Sequence, residues 1–541
     1  MKKLTPIGLA VSLLLSGCAT HNNEQALSAA YNSINANQLG EHIKTIASDE
    51  FEGRAPSTKG EELTLAYLEK HFKSHGFIGG NNGSFYQEVP LVSIEASPDM
   101  TLNIAGKAYE YKKDMVMGTS RMSELESIEN SELVFVGYGI NAPEYDWNDY
   151  KDLDVKGKTV VILVNDPGFA TQDDSLFTGN AMTYYGRWTY KYEEASRQGA
   201  AGAIIVHETA PASYPWSVVE NSWSGPQFGF QKENNNMDRV AVEGWITLDV
   251  ANELFAKAGL DFANEKEKAA KGGYSVDMGD LTASVTVKSE IKKSVSRNFI
   301  ATLPGSKTPD EHIIYSAHWD HLGKDPGKKG DNIYNGAHDN ATGTAGMIEI
   351  AEAFSMLPTK PARSITFLAV TAEEQGLLGA KYYAANPIIA ANKSVANINM
   401  DSLNLLGRVK DISVVGAGKS EMDEYLARAA QSQNRTLSGD PRPAAGGYYR
   451  SDHFAFAQMG IPAMYSGGGT QAIDEETERY RKRMGLILRG CYHQPCDQYR
   501  KGWDLSGAVE DLQLFYQVGL DIADSTNWPS WYAQSEFQRK N

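Results

Sequence analysis

A chain of 541 residues is too long for one hydrophobic core, since single domains rarely pass ~250–300 residues, so two or more domains are expected. With 41% hydrophobic and 22% charged residues, the composition is that of a soluble globular protein. A net charge of -17 without any long Lys/Arg run argues against a nucleic-acid partner, and it suits an extracytoplasmic compartment.

The first residues, "MKKLTPIGLAVSLLLSGCAT", carry Lys2 and Lys3, an apolar run over residues 7 to 15, then small residues. That is the layout of a secretory signal and is too short to span a bilayer. "LLSGC" resembles a bacterial lipobox, which makes 1–18 a lipoprotein signal peptide and Cys18 the lipidated start of the mature chain. The plainer alternative is a simple signal peptide with a chance cysteine. Ala19, not Asp, follows Cys18, which by resemblance to lipoprotein sorting points to the outer membrane, facing the periplasm. The membrane is then met only through the N-terminal lipid, because nothing else is apolar enough to span. Residues 19–36 are polar and read as a tether.

Residues 37–131 begin the main body. "LGEHIKTIAS" and "TKGEELTLAYLEKHFKSHGF" have helical spacing, the second with Leu63, Leu68 and Phe72 on one side and Thr58 as cap. "MTLNIAGKAYEY" alternates and reads as strands. Residues 132–290 form a second unit of strand–helix–strand character, from "ELVFVGYGI" through "ITLDVANELFAKAG" to a loop-like exit at 265–271 and "GGYSVDMGD". No catalytic constellation stands out within it. Residues 291–541 alternate strand and helix, which implies an α/β fold with a mostly parallel central sheet covered on both faces. Its strands are "RNFIATL", "HIIYSA", "SITFLAV", "VANINM", "ISVVG" and "PAMYS". The helix "TAGMIEIAEAFSML" puts Met347, Ile350, Ala351 and Phe354 on one stripe. The conformation of 467–490 is unreadable from its pattern, and the segment is expected to border the pocket as a flap.

Chemistry-bearing residues collect at the ends of these strands. His318 ends one, Glu373 and Glu374 follow another, and Asp401 follows a third. In open α/β sheets the site lies outside the carboxyl ends of the strands. Asp339, which opens the next helix after His318, lies at the same rim, and His493 arrives from a late loop. Singly, each is an ordinary histidine or helix cap. Together, so many acids repel unless a cation is present, and the mixed N/O donor set suits zinc. The donors suffice for two metals sharing a carboxylate. Asp320 and Asp497 are placed to accept the free ring N–H of His318 and His493. One of Glu373 and Glu374 can bind metal while the other takes a proton from water; physics alone does not say which. With Cys18 taken by lipid, Cys491 and Cys496 remain, and export together with the short loop between them favours a disulfide over two free thiols.

"SAHWDHLG", "GAHDNATGTAG", "TAEEQGLLGA", "NMDSL", "RSDHFAF" and "YHQPCD", in that order, resemble the secreted co-catalytic zinc aminopeptidases of clan MH, the family that includes aminopeptidase Y and glutamate carboxypeptidase II. "DEFEGRAPSTKGEELTLAYLEKHFKSHGF" resembles their N-terminal helices, and 132–290 a protease-associated domain inserted into the peptidase. The resemblance implies two Zn2+ per chain. Asp339 then bridges them, His318 and Asp401 hold one, Glu374 and His493 hold the other, and Glu373 is the general base. Tyr492 matches a tyrosine that hydrogen-bonds the oxyanion in some members, with a packed aromatic as the plain alternative. Arg450 matches an arginine near the substrate. His338 departs from the expected small or acidic residue and is not counted as a ligand. The implied activity is removal of N-terminal amino acids from peptides. The alternatives are a carboxypeptidase or a glutaminyl cyclase on the same fold, or a non-catalytic binding lipoprotein, although all five ligands and the glutamate are present. Side-chain preference and oligomeric state stay unread.

Overall fold

The computed structural model describes residues 24–539. The signal peptide, Cys18 and the first part of the tether lie outside the described residues. The chain divides into two compact units: one runs up to Val89 and takes in Ser296–Asp440 and the chain from Ser451 onward, the other takes Pro90–Val295 and Pro441–Arg450.

The first unit is built on a mostly parallel sheet. The strand Thr308–His318 pairs in parallel with Arg363–Val370 on one side and Ser394–Asn399 on the other, and the latter pairs in parallel with Ala463–Gly468. Antiparallel strands flank this centre: residues 299–303 against Arg363–Val370, and Asp411–Val415 against Ala463–Gly468. Arg363–Val370 and Ser394–Asn399 are buried at every position, which is why they read as continuous runs without alternation. Successive side chains still feed opposite layers. Ile313 and Tyr315 join the core with Phe72, Phe354, Phe367 and Phe515. Ile314 and Leu368 join Tyr383 and Phe456 on the other face.

The helix Lys59–Ser74 starts as the sequence implies, with the Thr58 hydroxyl accepting the Gly60 N–H. The helix Thr342–Ser355 goes further than a stripe: among its residues only Glu352 and Ser355 escape full burial, so it lies inside the unit. The segment whose form was unreadable is mostly the helix Glu475–Cys491, capped by Asp474 accepting the Thr477 N–H.

The second unit has a mixed sheet. Leu125–Phe135, Thr159–Leu163, Gly202–Val206 and Val242–Ile246 run in parallel. It opens at Pro90, ahead of the expected 132, because Met115–Gly118 pairs with Val242–Ile246 and Thr101–Ile104 pairs with residues 283–284. The expected loop-like exit is ordered instead. Phe262–Ala269 is a helix capped by Asp261, and "VDMGD" opens a 28-residue strand, Val276–Leu303. No helix among the described residues is long and apolar enough to cross a membrane.

Candidate metal centre

Strand ends and the turns after them carry the site. His318 is the last residue of its strand, and Glu373–Glu374 and Asp401 follow the strands ending at Val370 and Asn399. Asp339 precedes the helix Thr342–Ser355 but does not cap it. Asn340 does that work: its Oδ1 accepts the N–H groups of Gly343 (2.9 Å) and Ser402 (3.1 Å), and its Nδ2 donates to the Met400 carbonyl (3.0 Å). The helix start is thereby tied to the turn bearing Asp401, and the Asp339 carboxylate is left for another use. Gly343 makes the approach possible, since a Cβ there would lie 2.5 Å from the Met400 oxygen.

His318 Nε2 lies 3.3 Å from Asp339 Oδ1 and 3.5 Å from Asp401 Oδ1. His493 Nε2 lies 3.2 Å from Asp339 Oδ2 and 3.0 Å from Glu374 Oε2. Asp339 therefore offers one oxygen to each histidine, at the centre of two donor groups. The donor atoms of His318, Asp339 and Asp401 all lie within 4.8 Å of one another, as do those of His318, Glu373 and Glu374. Two ligands on one zinc, each at ~2.0–2.1 Å and at a tetrahedral angle, stand roughly 3.3 Å apart, so these separations fit the ion. Hydrogen bonding fits poorly: His493 Nε2 and His321 Nε2 are buried without a hydrogen-bond partner among the described residues. Buried polar atoms are normally paired, and orphans call for an ion.

The electrostatics agree. Burial opposes charge on His493, yet Asp339 and Glu374 outweigh it and hold the ring's pKa up at about 10. Burial and Asp339 push the Glu374 carboxyl up, but His321 and His493 bring it down to about 2. The site thus favours carboxylate anions surrounded by positive charge. Glu373 differs: burial, and then the charges of Asp401, Asp452 and Glu374, drive its carboxyl well above the usual range against the pull of His318. Adjacent glutamates are thereby set apart, the carboxyl of Glu374 held down and that of Glu373 driven up.

Asp320 lies beside the His318 ring, its Oδ1 3.9 Å from Nδ1, and the carboxylates of Asp320 and Asp497 both accept backbone N–H groups. The Asp320 carboxylate accepts the N–H groups of Glu373 (3.1 Å) and Glu374 (3.4 Å), while His318 Nδ1 donates to its main-chain carbonyl (3.2 Å). Asp497 accepts the N–H groups of His338 (3.0 Å) and Asp339 (3.1 Å). Each aspartate fixes a turn that bears candidate ligands. His338 is turned away, its Nε2 at the Leu403 carbonyl (3.2 Å). Cys491 and Cys496 are joined by a disulfide that encloses Tyr492 and His493. Tyr492 is 60% exposed, with its ring stacked on His493 at 3.8 Å, so it is not a packed core aromatic. Arg450 is exposed and lies on the segment assigned to the second unit, so it is not among the residues gathered here.

Three residues were missed. His321 is fully buried, its Nδ1 2.5 Å from Glu374 Oε1, and it forms a third donor group with Asp339 and Glu374. Its signal was present in "HWDH", three residues after His318. Ser451 donates to Asp401 Oδ2 (2.6 Å), and Asp452 is fully buried with both carboxylate oxygens unpaired. Both stand in "RSDHF", directly after Arg450.

An open α/β sheet whose carboxyl rim gathers histidines and carboxylates in this way offers the donor set of a metal centre. The profile of Peptidase family M28 matches residues 298–516. It is 26% identical to "Leupeptin-inactivating enzyme 1" of Streptomyces exfoliatus over 246 residues, 44% of this chain and 50% of that protein, so the match spans half the relative's length. It is 23% identical to "Probable leucine aminopeptidase 2" of Aspergillus fumigatus over 459 residues, 83% of this chain and 74% of that protein. The solved aminopeptidase from Aneurinibacillus sp. strain AM-1 shares the fold, with a TM-score of 0.50 at 20% identity over 94% of this chain and 99% of that one.

Proposed function

We propose that the chain is a di-zinc aminopeptidase. The observation that carries this reading is Asp339, which gives one oxygen to His318 and the other to His493 inside a Peptidase family M28 segment. His318 and Asp401 would hold one zinc, Glu374 and His493 the other, with Asp339 shared. When bound, the metals supply Lewis acidity for the scissile carbonyl and lower the pKa of water. Glu373, as a carboxylate whose proton affinity is raised by burial and by neighbouring acids, takes a proton from the attacking water and passes it to the leaving amine. Tyr492, exposed beside His493, donates its hydroxyl to the developing oxyanion. Arg450 contributes to holding the peptide. The sequence supports an anchor of lipid at Cys18, an extracytoplasmic position at the outer membrane, and a protease-associated character for the second unit.

The test is a panel of amino-acid p-nitroanilides beside the same compounds with the amine blocked. Cleavage confined to free amines and abolished by a chelator supports the aminopeptidase. Equal cleavage of blocked compounds, or release of C-terminal residues, rejects it.

A further inference from the structure

Arg54 is fully buried, yet it forms no ion pair among the described residues. Its guanidinium instead donates four hydrogen bonds to backbone carbonyls. Nε reaches Trp319 (2.9 Å), Nη1 reaches Ile46 (3.0 Å) and Asn335 (2.6 Å), and Nη2 reaches Gly336 (2.9 Å). Its own carbonyl accepts the His321 N–H (3.2 Å). The accepting residues are not scattered. Trp319 lies between His318 and Asp320, and Asn335–Gly336 leads into the turn that ends at Asp339. One side chain therefore grips both turns that present His318 and Asp339.

The charge has a reason as well. Burial brings the Arg54 guanidinium down to about 10, but it stays protonated at neutral pH, and Asp497, Asp320, Asp339 and Glu374 all favour its positive form. It is a fixed cation behind the acids, while the metal side of those acids is left open. The backbone is shaped to admit it. Gly53, at φ 67, sits where a Cβ would lie 2.4 Å from the Gly323 oxygen and 2.5 Å from the Tyr334 oxygen. The strands and turns are thus packed against the segment that delivers Arg54.

We propose that Arg54 is a positioning residue for the metal centre, acting through the main chain of the His318 and Asp339 turns. The proposal rests on the zinc reading above. Only a planar fork with several donors in fixed directions serves these carbonyls at once; an ammonium has three donors and no fork. A ligand turn displaced by ~1 Å costs on the order of 100-fold in rate, and loss of an outer support typically costs 10–100-fold in metal affinity.

A matched control exists in the same unit. Arg363 is equally buried and donates to the carbonyls of Ile522 (2.8 Å) and Asn527 (2.9 Å) and to Glu311 (2.6 Å), but it lies at the opposite end of its strand from Glu373–Glu374. Zinc affinity is measured by chelator competition on the full chain for wild type, Arg54→Lys and Arg363→Lys, beside thermal unfolding and separate kcat and KM. Arg54→Lys is expected to weaken zinc binding ~10–100-fold and to lower zinc-saturated kcat by more than ~10-fold, with KM nearly unchanged. Arg363→Lys is expected to lower the unfolding temperature while leaving zinc affinity and kcat near wild type. If Arg54→Lys does not fold, Asn335→Ala provides the readout. That side chain ties the same turn to Ala47 (3.0 Å) and Asp49 (2.9 Å), and its loss is expected to weaken zinc in the same direction, by a few-fold. Wild-type zinc affinity in Arg54→Lys, or in Asn335→Ala where Arg54→Lys does not fold, or equal losses in the two arginine variants, overturns the proposal. Wild-type protein that binds no zinc overturns the zinc reading instead, so the two failures are distinguishable.

Discussion

Each unit buries a cluster of charges, and the two clusters are finished differently. In the second unit, Lys191 Nζ donates to the carbonyls of Tyr138 (2.6 Å) and Asn165 (2.8 Å). Asp149 accepts the N–H groups of Ile140 and Tyr274 and the Trp147 indole, and Asp166 accepts both the amide and the hydroxyl of Thr183. Of these three side chains, only Asp166 Oδ1 is left unpaired. In the first unit His321, His493 and Asp452 keep bare nitrogen and oxygen atoms, while Asp320 and Asp497 hydrogen-bond the turns that carry Glu374 and Asp339. A charge cluster that serves the fold satisfies its own atoms. A cluster that serves a metal satisfies its supports and leaves its donors open.

This contrast breaks if the wrong cluster responds. The largest effect is expected from Asp339→Ala, which removes the carboxylate shared by both histidines; bound zinc and hydrolysis are lost together, read by metal analysis and a p-nitroanilide assay. Glu373→Gln comes next. Zinc content stays at the wild-type level, while kcat falls ~100–10,000-fold, as expected when a general base is removed. Wild-type turnover in this variant would remove Glu373 from the mechanism. Lys191→Met is expected to lower stability by about 3 kcal/mol, because it strips a buried network of its cation, without changing zinc affinity. Chemical denaturation and chelator competition on one preparation separate the two outcomes.

The smallest effect near neutral pH comes from a histidine. Burial depresses the His312 ring to about 4, so the unfolded chain binds its proton first as pH falls below the ordinary 6.5. The stability tied to the neutral ring is therefore present above 6.5 and is lost between 6.5 and 4. His312→Gln is expected to flatten that part of the stability–pH curve, by up to about 3 kcal/mol at pH 4 and by little near pH 7. An unchanged slope would mean that other groups carry the acid sensitivity.

Legibility from sequence followed the range of the interactions. The strand ends bearing His318, Glu374 and Asp401 were readable because apolar runs and the residues that stop them are local. So were Thr58 as a cap and the helix behind Asp339. The wide burial of Thr342–Ser355 and the length of Val276–Leu303 were not, because both depend on neighbours far along the chain. The same limit explains the supports. Asp497 reaches the amides of His338 and Asp339 across 159 and 158 residues, and Arg54 reaches Trp319 across 265. A reading of spacing gave Asp497 to the nearest histidine; the fold gave it to a turn.

The account turns on zinc at the unpaired rim. Chelator-stripped full-length protein titrated with zinc, with hydrolysis of a free-amine p-nitroanilide followed at each addition, tests it most directly. Activity should be absent at the start and should return in step with bound metal, levelling near two ions per chain. Full activity in the stripped protein, or no zinc bound at saturation, would contradict the account.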